Sequence, residues 1–288
     1  MKRPRRILSG ILLMIYASVA FSLMALCIKS ISRFMPSQEI VFLRSLTGFM
    51  ITFSVVYGKR VPVFGNSWQP LVWRGLIGFV SLALYIYTIA HLPLGTAVLL
   101  NYTSPVFSAL MAIVFLKERP NALLLGMTIL AFAGIYLLIA RPAELSQQFA
   151  VWIGLLSAIT TAVAYISIRS IKNRESPLII ILYFTVISTL GSLFFIRQEF
   201  VWPRGLSVWL AIIGIGIFSF YGQLWMTIAL RRIPVSLAVP FSYITPLLSF
   251  CYGFLFWKEH LNGKEMIGIA MVITAGSLIS WLGHTQET

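Results

Sequence analysis

Two pentapeptides 141 positions apart, Asn101-Tyr102-Thr103-Ser104-Pro105 and Ser242-Tyr243-Ile244-Thr245-Pro246, repeat one polar–Tyr–any–hydroxyl–Pro pattern inside long apolar runs. Proline lacks an N–H, and its ring clashes with the carbonyl four residues earlier. The carbonyls of Asn101 and Ser242 are therefore expected to be freed in mid-run. The amide, hydroxyl and phenol groups beside them either satisfy those carbonyls, as in a packing kink, or turn toward a ligand. Arg44 adds a charge seven positions inside its own run, roughly 10 Å deep at about 1.5 Å per residue. A charge at that depth costs a few kcal/mol, which suits either an anchor for an anion or carboxylate or a structural arginine capping carbonyls. Tyr85, Tyr165, Gln223 and Trp225 join Arg44, Asn101, Tyr102, Ser242 and Tyr243 as candidate substrate-binding residues. Together they would stack on and hydrogen-bond a planar or amphiphilic metabolite, with Pro105 and Pro246 as the helix kinks. Tyr16 and Tyr221 are further aromatics expected near the same cavity.

Other chemistries find no residue set. All eight acidic residues are glutamates (Glu39, Glu118, Glu144, Glu175, Glu199, Glu259, Glu265 and Glu287), and each falls at the end of an apolar run or between runs. That argues against a carboxylate at mid-depth as a cation or proton site. The three histidines do not cluster, and Cys27 and Cys251 read as buried small hydrophobes. No metal site, disulfide framework or cofactor is expected. No nucleophile and base lie together, so an enzyme is not expected, and a channel would need rings of polar side chains.

The elements that position these residues follow from composition. Apolar residues make up 59% of the chain and charged residues 10%, with a mean hydropathy of +0.90. A soluble domain carries about 25% charged residues, so the expected solvent is the lipid bilayer. The net charge of +14 sits in short clusters between apolar runs, the layout of membrane-flanking loops rather than of a nucleic-acid-binding face. Ten runs of about 20 residues, each enough to span roughly 30 Å of hydrocarbon, read as 8–30, 37–57, 71–90, 94–116, 122–140, 150–170, 177–197, 206–230, 235–257 and 264–283. The start resembles a signal peptide but is read as a first helix that stays. With the N-terminus in the cytoplasm, Lys and Arg divide 14 inside, Arg74 among them, against 7 outside. The positive-inside rule then places both termini in the cytoplasm.

The pentapeptides belong to a longer repeat at the same offset: Pro93 matches Pro234, Lys117-Glu118 matches Lys258-Glu259, and Asn121 matches Asn262. Residues 1–141 and 142–288 are thus expected to be two units of five helices. Because five is odd, the second unit crosses the membrane inverted, about a pseudo-two-fold axis in the membrane plane. The fold class expected is all-α integral membrane, ten helices in two inverted repeats. Such a pair supports alternating access, with the substrate near the midplane where the repeats meet.

The stretch "LPLGTAVLLNYTSPVFSALMAIVFLKERPNALLLGMTILAFAGIYLL" and its echo "IPVSLAVPFSYITPLLSFCYGFLFWKEHLNGKEMIGIAMVITAGSLI" resemble the drug/metabolite transporter superfamily, in particular its EamA-type members with two EamA repeats. Arg44 within "EIVFLRSLTGFM" matches an arginine common in that family's second helix. The resemblance covers essentially the whole chain. It implies a carrier driven by a gradient or by exchange, with helices 1, 3, 4, 6, 8 and 9 around the cavity. The second unit departs from the first in having Thr185 where Arg44 would recur. The expected function is a secondary transporter of the cytoplasmic (inner) membrane moving a small organic metabolite, an amino acid or amino-acid-derived compound. The alternative is uptake or exchange of an S-adenosylmethionine-like or other nucleotide-like compound, or drug and metabolite efflux. Partners are the small-molecule substrate and the lipid bilayer, with no nucleic acid, and a homodimer is allowed for.

Overall fold

The computed structural model describes residues 2–65, 67–116, 122–139, 145–171, 175–196, 200–233 and 235–285. Among them are twelve α-helices and no strand: α1 (Lys2–Ile31), α2 (Ser37–Gly58), α3 (Trp68–His91), α4 (Leu94–Asn101), α5 (Ser104–Leu116), α6 (Ala122–Ile139), α7 (Leu145–Ile171), α8 (Pro177–Leu193), α9 (Leu206–Arg232), α10 (Val235–Ser242), α11 (Ile244–Trp257) and α12 (Gly263–Thr285). The chain is a multi-pass membrane protein: five segments, Ile7–Ile31, Ser37–Gly58, Trp68–His91, Gln147–Ser167 and Leu206–Arg232, are long and apolar enough to cross a bilayer. The expected repeat boundary at 141/142 and the pair Lys117-Glu118 lie outside the described residues.

The runs 94–116 and 235–257 each form two helices rather than one kinked helix. Proline explains the stop and restart. Pro105 is the second residue of α5 and Pro246 the third of α11, first-turn positions where a missing N–H costs nothing. At the first break the Thr103 hydroxyl donates to the Leu100 carbonyl at 2.6 Å, and the Tyr243 hydroxyl donates to the Tyr102 carbonyl at 3.1 Å. The phenol of one repeat thus satisfies a carbonyl that the break leaves open in the other.

The two repeats interlock. The most extensive helix contacts pair α1 with α9, α3 with α7, α2 with α8, and α6 with α12. The first helix of each repeat therefore packs on the third of the other, while second packs on second and fifth on fifth, as an inverted two-fold arrangement requires. Buried carboxylates follow the same exchange. The Val201 N–H, ahead of α9, donates to Glu39 Oε1 of α2 at 3.1 Å. The Ser67 N–H, ahead of α3, donates to Glu175 Oε1, ahead of α8, at 2.7 Å.

Two expectations are corrected. Cys251 is exposed on the outer surface and Cys27 only half-buried, because a lipid-facing surface is as apolar as the interior. Arg74, counted among the cytoplasmic flanking charges, is 5% exposed and the seventh residue of α3. That helix begins three residues before the apolar run expected at 71, which carries Arg74 inside.

Candidate functional site

On α3, Arg74, Gly78, Ser81, Leu82 and Tyr85 recur at i, i+4, i+7, i+8 and i+11, which places them on one helix face. All five line a central cavity of about 100 Å³. Arg44 of α2, Thr161 and Tyr165 of α7, Phe184 of α8, and Gln223 and Met226 of α9 form other walls. Asn101 and Tyr102 close one side at the α4–α5 break, and Phe21 and Met24 of α1 the rest. Typical ligand pockets measure roughly 300–1,000 Å³, so a metabolite of ordinary size enters only as the walls move apart.

The cavity lies across the repeat. Three pairs at the 141-residue offset, Met24 with Tyr165, Leu82 with Gln223 and Tyr85 with Met226, all line it. Its charge does not obey that symmetry. Arg44 and Arg74 both come from the first repeat, and the equivalent positions hold Thr185 and Ile215.

Arg44 is 2% exposed. Its guanidinium carbon lies 5.5 Å from the centroid of the Phe184 ring, and that of Arg74 lies 5.1 Å from the same centroid. Both guanidiniums lie against one ring, and like charges held that close in low dielectric repel. Nε and Nη1 of both arginines find no hydrogen-bond partner among the described residues, and no lining residue is acidic. Burying a charge without a counter-ion costs on the order of several kcal/mol, against about 0.5–2 kcal/mol from a cation–π contact. The site is thus a preformed demand for negative charge.

A second set of polar groups at the cavity is neutral and internally bonded. Asn101 Nδ2 donates to Ser157 Oγ at 3.1 Å and to Thr161 Oγ1 at 3.0 Å. The Ser81 and Thr161 hydroxyls share a hydrogen bond of 2.6 Å. Tyr102 donates to Thr245 Oγ1 at 3.0 Å, and Thr245 to the Ser18 carbonyl at the same distance. This chain ties α4, α7, α11 and α1 around one end of the cavity.

Six of the nine candidate residues read from the sequence meet at this cavity: Arg44, Tyr85, Asn101, Tyr102, Tyr165 and Gln223. Three do not line it. Tyr243 is 1% exposed behind Tyr102, with ring centroids 6.3 Å apart, and Ser242 is buried at the end of α10. The Trp225 ring packs at a tilt against Tyr16, centroids 5.7 Å apart, and against Tyr221 at 5.1 Å, two rings that are themselves exposed. Pro105 and Pro246 stand at the helix restarts. The sequence reading missed Arg74, Phe184, Thr161 and the paired methionines. The methionines were accessible through the repeat, since Met24 and Met226 are the equivalents of Tyr165 and Tyr85.

One end of the α3–α4 connection is clamped by charge. Lys29 Nζ donates to the Leu92 carbonyl at 2.6 Å and to the Ile89 carbonyl at 3.1 Å. The Leu94 N–H donates to Glu259 Oε2 at 2.9 Å. A cation thus meets the C-terminus of α3 and an anion the N-terminus of α4, the favourable sense for both helix dipoles. Burial raises the Glu259 carboxyl above its ordinary value, while Lys29 and the Leu94 N–H pull it back.

The family model described as the EamA-like transporter family matches residues 8–140 and again 148–281. Over 269 residues, 93% of this chain and 94% of the relative, the sequence is 32% identical to the pseudopaline exporter CntI of Pseudomonas aeruginosa. It is 26% identical over 284 residues to a riboflavin transporter of Rhizobium johnstonii, covering 96% of this chain and 92% of the relative. A solved crystal structure shares the fold with a TM-score of 0.69 at 22% identity, over 97% of this chain and 99% of that one.

Proposed function

We propose, for a chain that belongs to the EamA-like transporter family, that it carries a small amino-acid-derived metabolite out of the cell by alternating access. The observation that carries this reading is the cavity lined by repeat-equivalent residues of both units. A site on an inverted pseudo-two-fold axis opens to either side as the two units exchange roles. The outward direction draws support from the relative named as a pseudopaline exporter. Residues 1–141 and 142–288 are the two units in this reading, and every wall of the cavity comes from one chain, so no second copy is needed to complete it.

In proteoliposomes, the purified protein is expected to give saturable flux and counterflow with a labelled metabolite. A conductance that rises linearly with voltage and never saturates with substrate would make it a channel instead.

Orientation in the cytoplasmic membrane belongs to the same proposal. The inside count becomes 13 once Arg74 is removed from the 14 flanking charges, against 7 outside. That asymmetry still favours cytoplasmic termini. Reporter fusions after residue 285 and in the 59–70 connection are expected to read as cytoplasmic, and a periplasmic signal at either point would reverse the assignment.

A further inference from the structure

We infer that the cavity takes a metabolite with two separate carboxylates, one held by Arg44 and the other by Arg74, whose guanidiniums both pack against Phe184. The inference rests on the carrier reading above and names the substrate class of that same site. Both arginines are buried and line the cavity, both carry side-chain nitrogens without a hydrogen-bond partner among the described residues, and none of the described lining residues is a carboxylate. The charge that balances them must arrive with the ligand. A neutral or cationic ligand would leave two repelling guanidiniums in low dielectric. A single carboxylate would balance only one of the two guanidiniums. Guanidinium binds carboxylate through directed, charge-assisted hydrogen bonds, so two such groups against one ring each fix one end of a diacid.

Gly78 makes room for this arrangement. A Cβ there would collide with the Arg74 guanidinium and come within 2.8 Å of the Phe184 ring. The neutral groups Ser81, Thr161 and Asn101 are already bonded to one another, which leaves the two cations as the strongest recognition elements in the site.

The test uses the full-length protein in detergent and in proteoliposomes. Probes are the straight-chain diacids from succinate to pimelate, their monomethyl esters, glycerol 3-phosphate and inorganic phosphate. Among the diacids one chain length is expected to bind best, and its monoester to bind about tenfold or more weakly, since one charge-assisted contact is lost. Arg44→Ala and Arg74→Ala should each erase the difference between diacid and monoester, while Arg→Lys at either position keeps part of it. Gly78→Ala should resemble Arg74→Ala. Equal binding of diacid and monoester by the wild-type protein would overturn the inference without any variant, and so would phosphate compounds binding in preference to every diacid. A carrier that exchanges other metabolites but shows no diacid preference sinks this inference alone. Absence of saturable exchange with every metabolite sinks the carrier reading instead.

Discussion

Gly276→Ala is expected to destabilise the protein by about 3 kcal/mol and to cut transport about tenfold or more, the sum of an overpacking cost and an orphaned carbonyl. Gly276 lies in α12 against the Tyr243 hydroxyl, and a Cβ at that position would collide with the phenol. Tyr243 is 1% exposed and has nowhere to retreat. Its displacement breaks the hydrogen bond to the Tyr102 carbonyl, the direct link between the two helix breaks, and shifts Tyr102 out of the cavity wall. Tyr243→Phe alone loses that bond but clears the space. The double variant should therefore be less destabilised than the two single changes added together, a coupling that a double-mutant cycle isolates. Thermal unfolding in detergent measures the first effect and counterflow the second. Additive single effects, or a neutral Gly276→Ala, would show that the contact between α12 and Tyr243 does not support the site.

Glu259→Ala is the second large expectation. The Leu94 N–H loses its acceptor and Lys29 its counter-charge, a cost of about 1–3 kcal/mol concentrated where α1, α4 and the segment after α11 meet. Hydrogen exchange across residues 92–97 should accelerate by about tenfold or more, each 1.4 kcal/mol being a factor of ten. Glu259→Gln keeps an oxygen acceptor and should fall between the two. A pH dependence accompanies it. The raised carboxyl binds a proton more tightly in this structure than where local opening lets Glu259 meet water. That contribution to the local structure is full below the ordinary carboxylate value and is lost as pH rises through the raised one. After correction for intrinsic exchange rates, protection of 92–97 should decline over that window in the wild type and stay flat in Glu259→Gln. A decline that persists in Glu259→Gln would assign the effect to another group.

The sequence by itself determined the solvent, the duplication and the breaks. Few charges and long apolar runs require lipid, because backbone and side chains must be satisfied without water. The offset joining Tyr102 to Tyr243 and Pro105 to Pro246, over an odd number of helices, requires inversion. Proline at 105 and 246 cannot donate to the carbonyl four residues earlier, since the missing N–H is a covalent property. What tertiary structure alone decided is which face of each helix looks inward. Lipid is as apolar as a protein core, so the pattern around Trp225, Tyr221 or Cys251 does not distinguish a cavity wall from an outer surface. Depth was equally hidden: Arg74 reads as a flanking charge until α3 is seen to begin at Trp68. Residues 44 and 74 lie on separate helices, 30 positions apart in sequence, yet both guanidiniums reach one ring. Their charge became a site only because packing of the two repeats brings Phe184 against both.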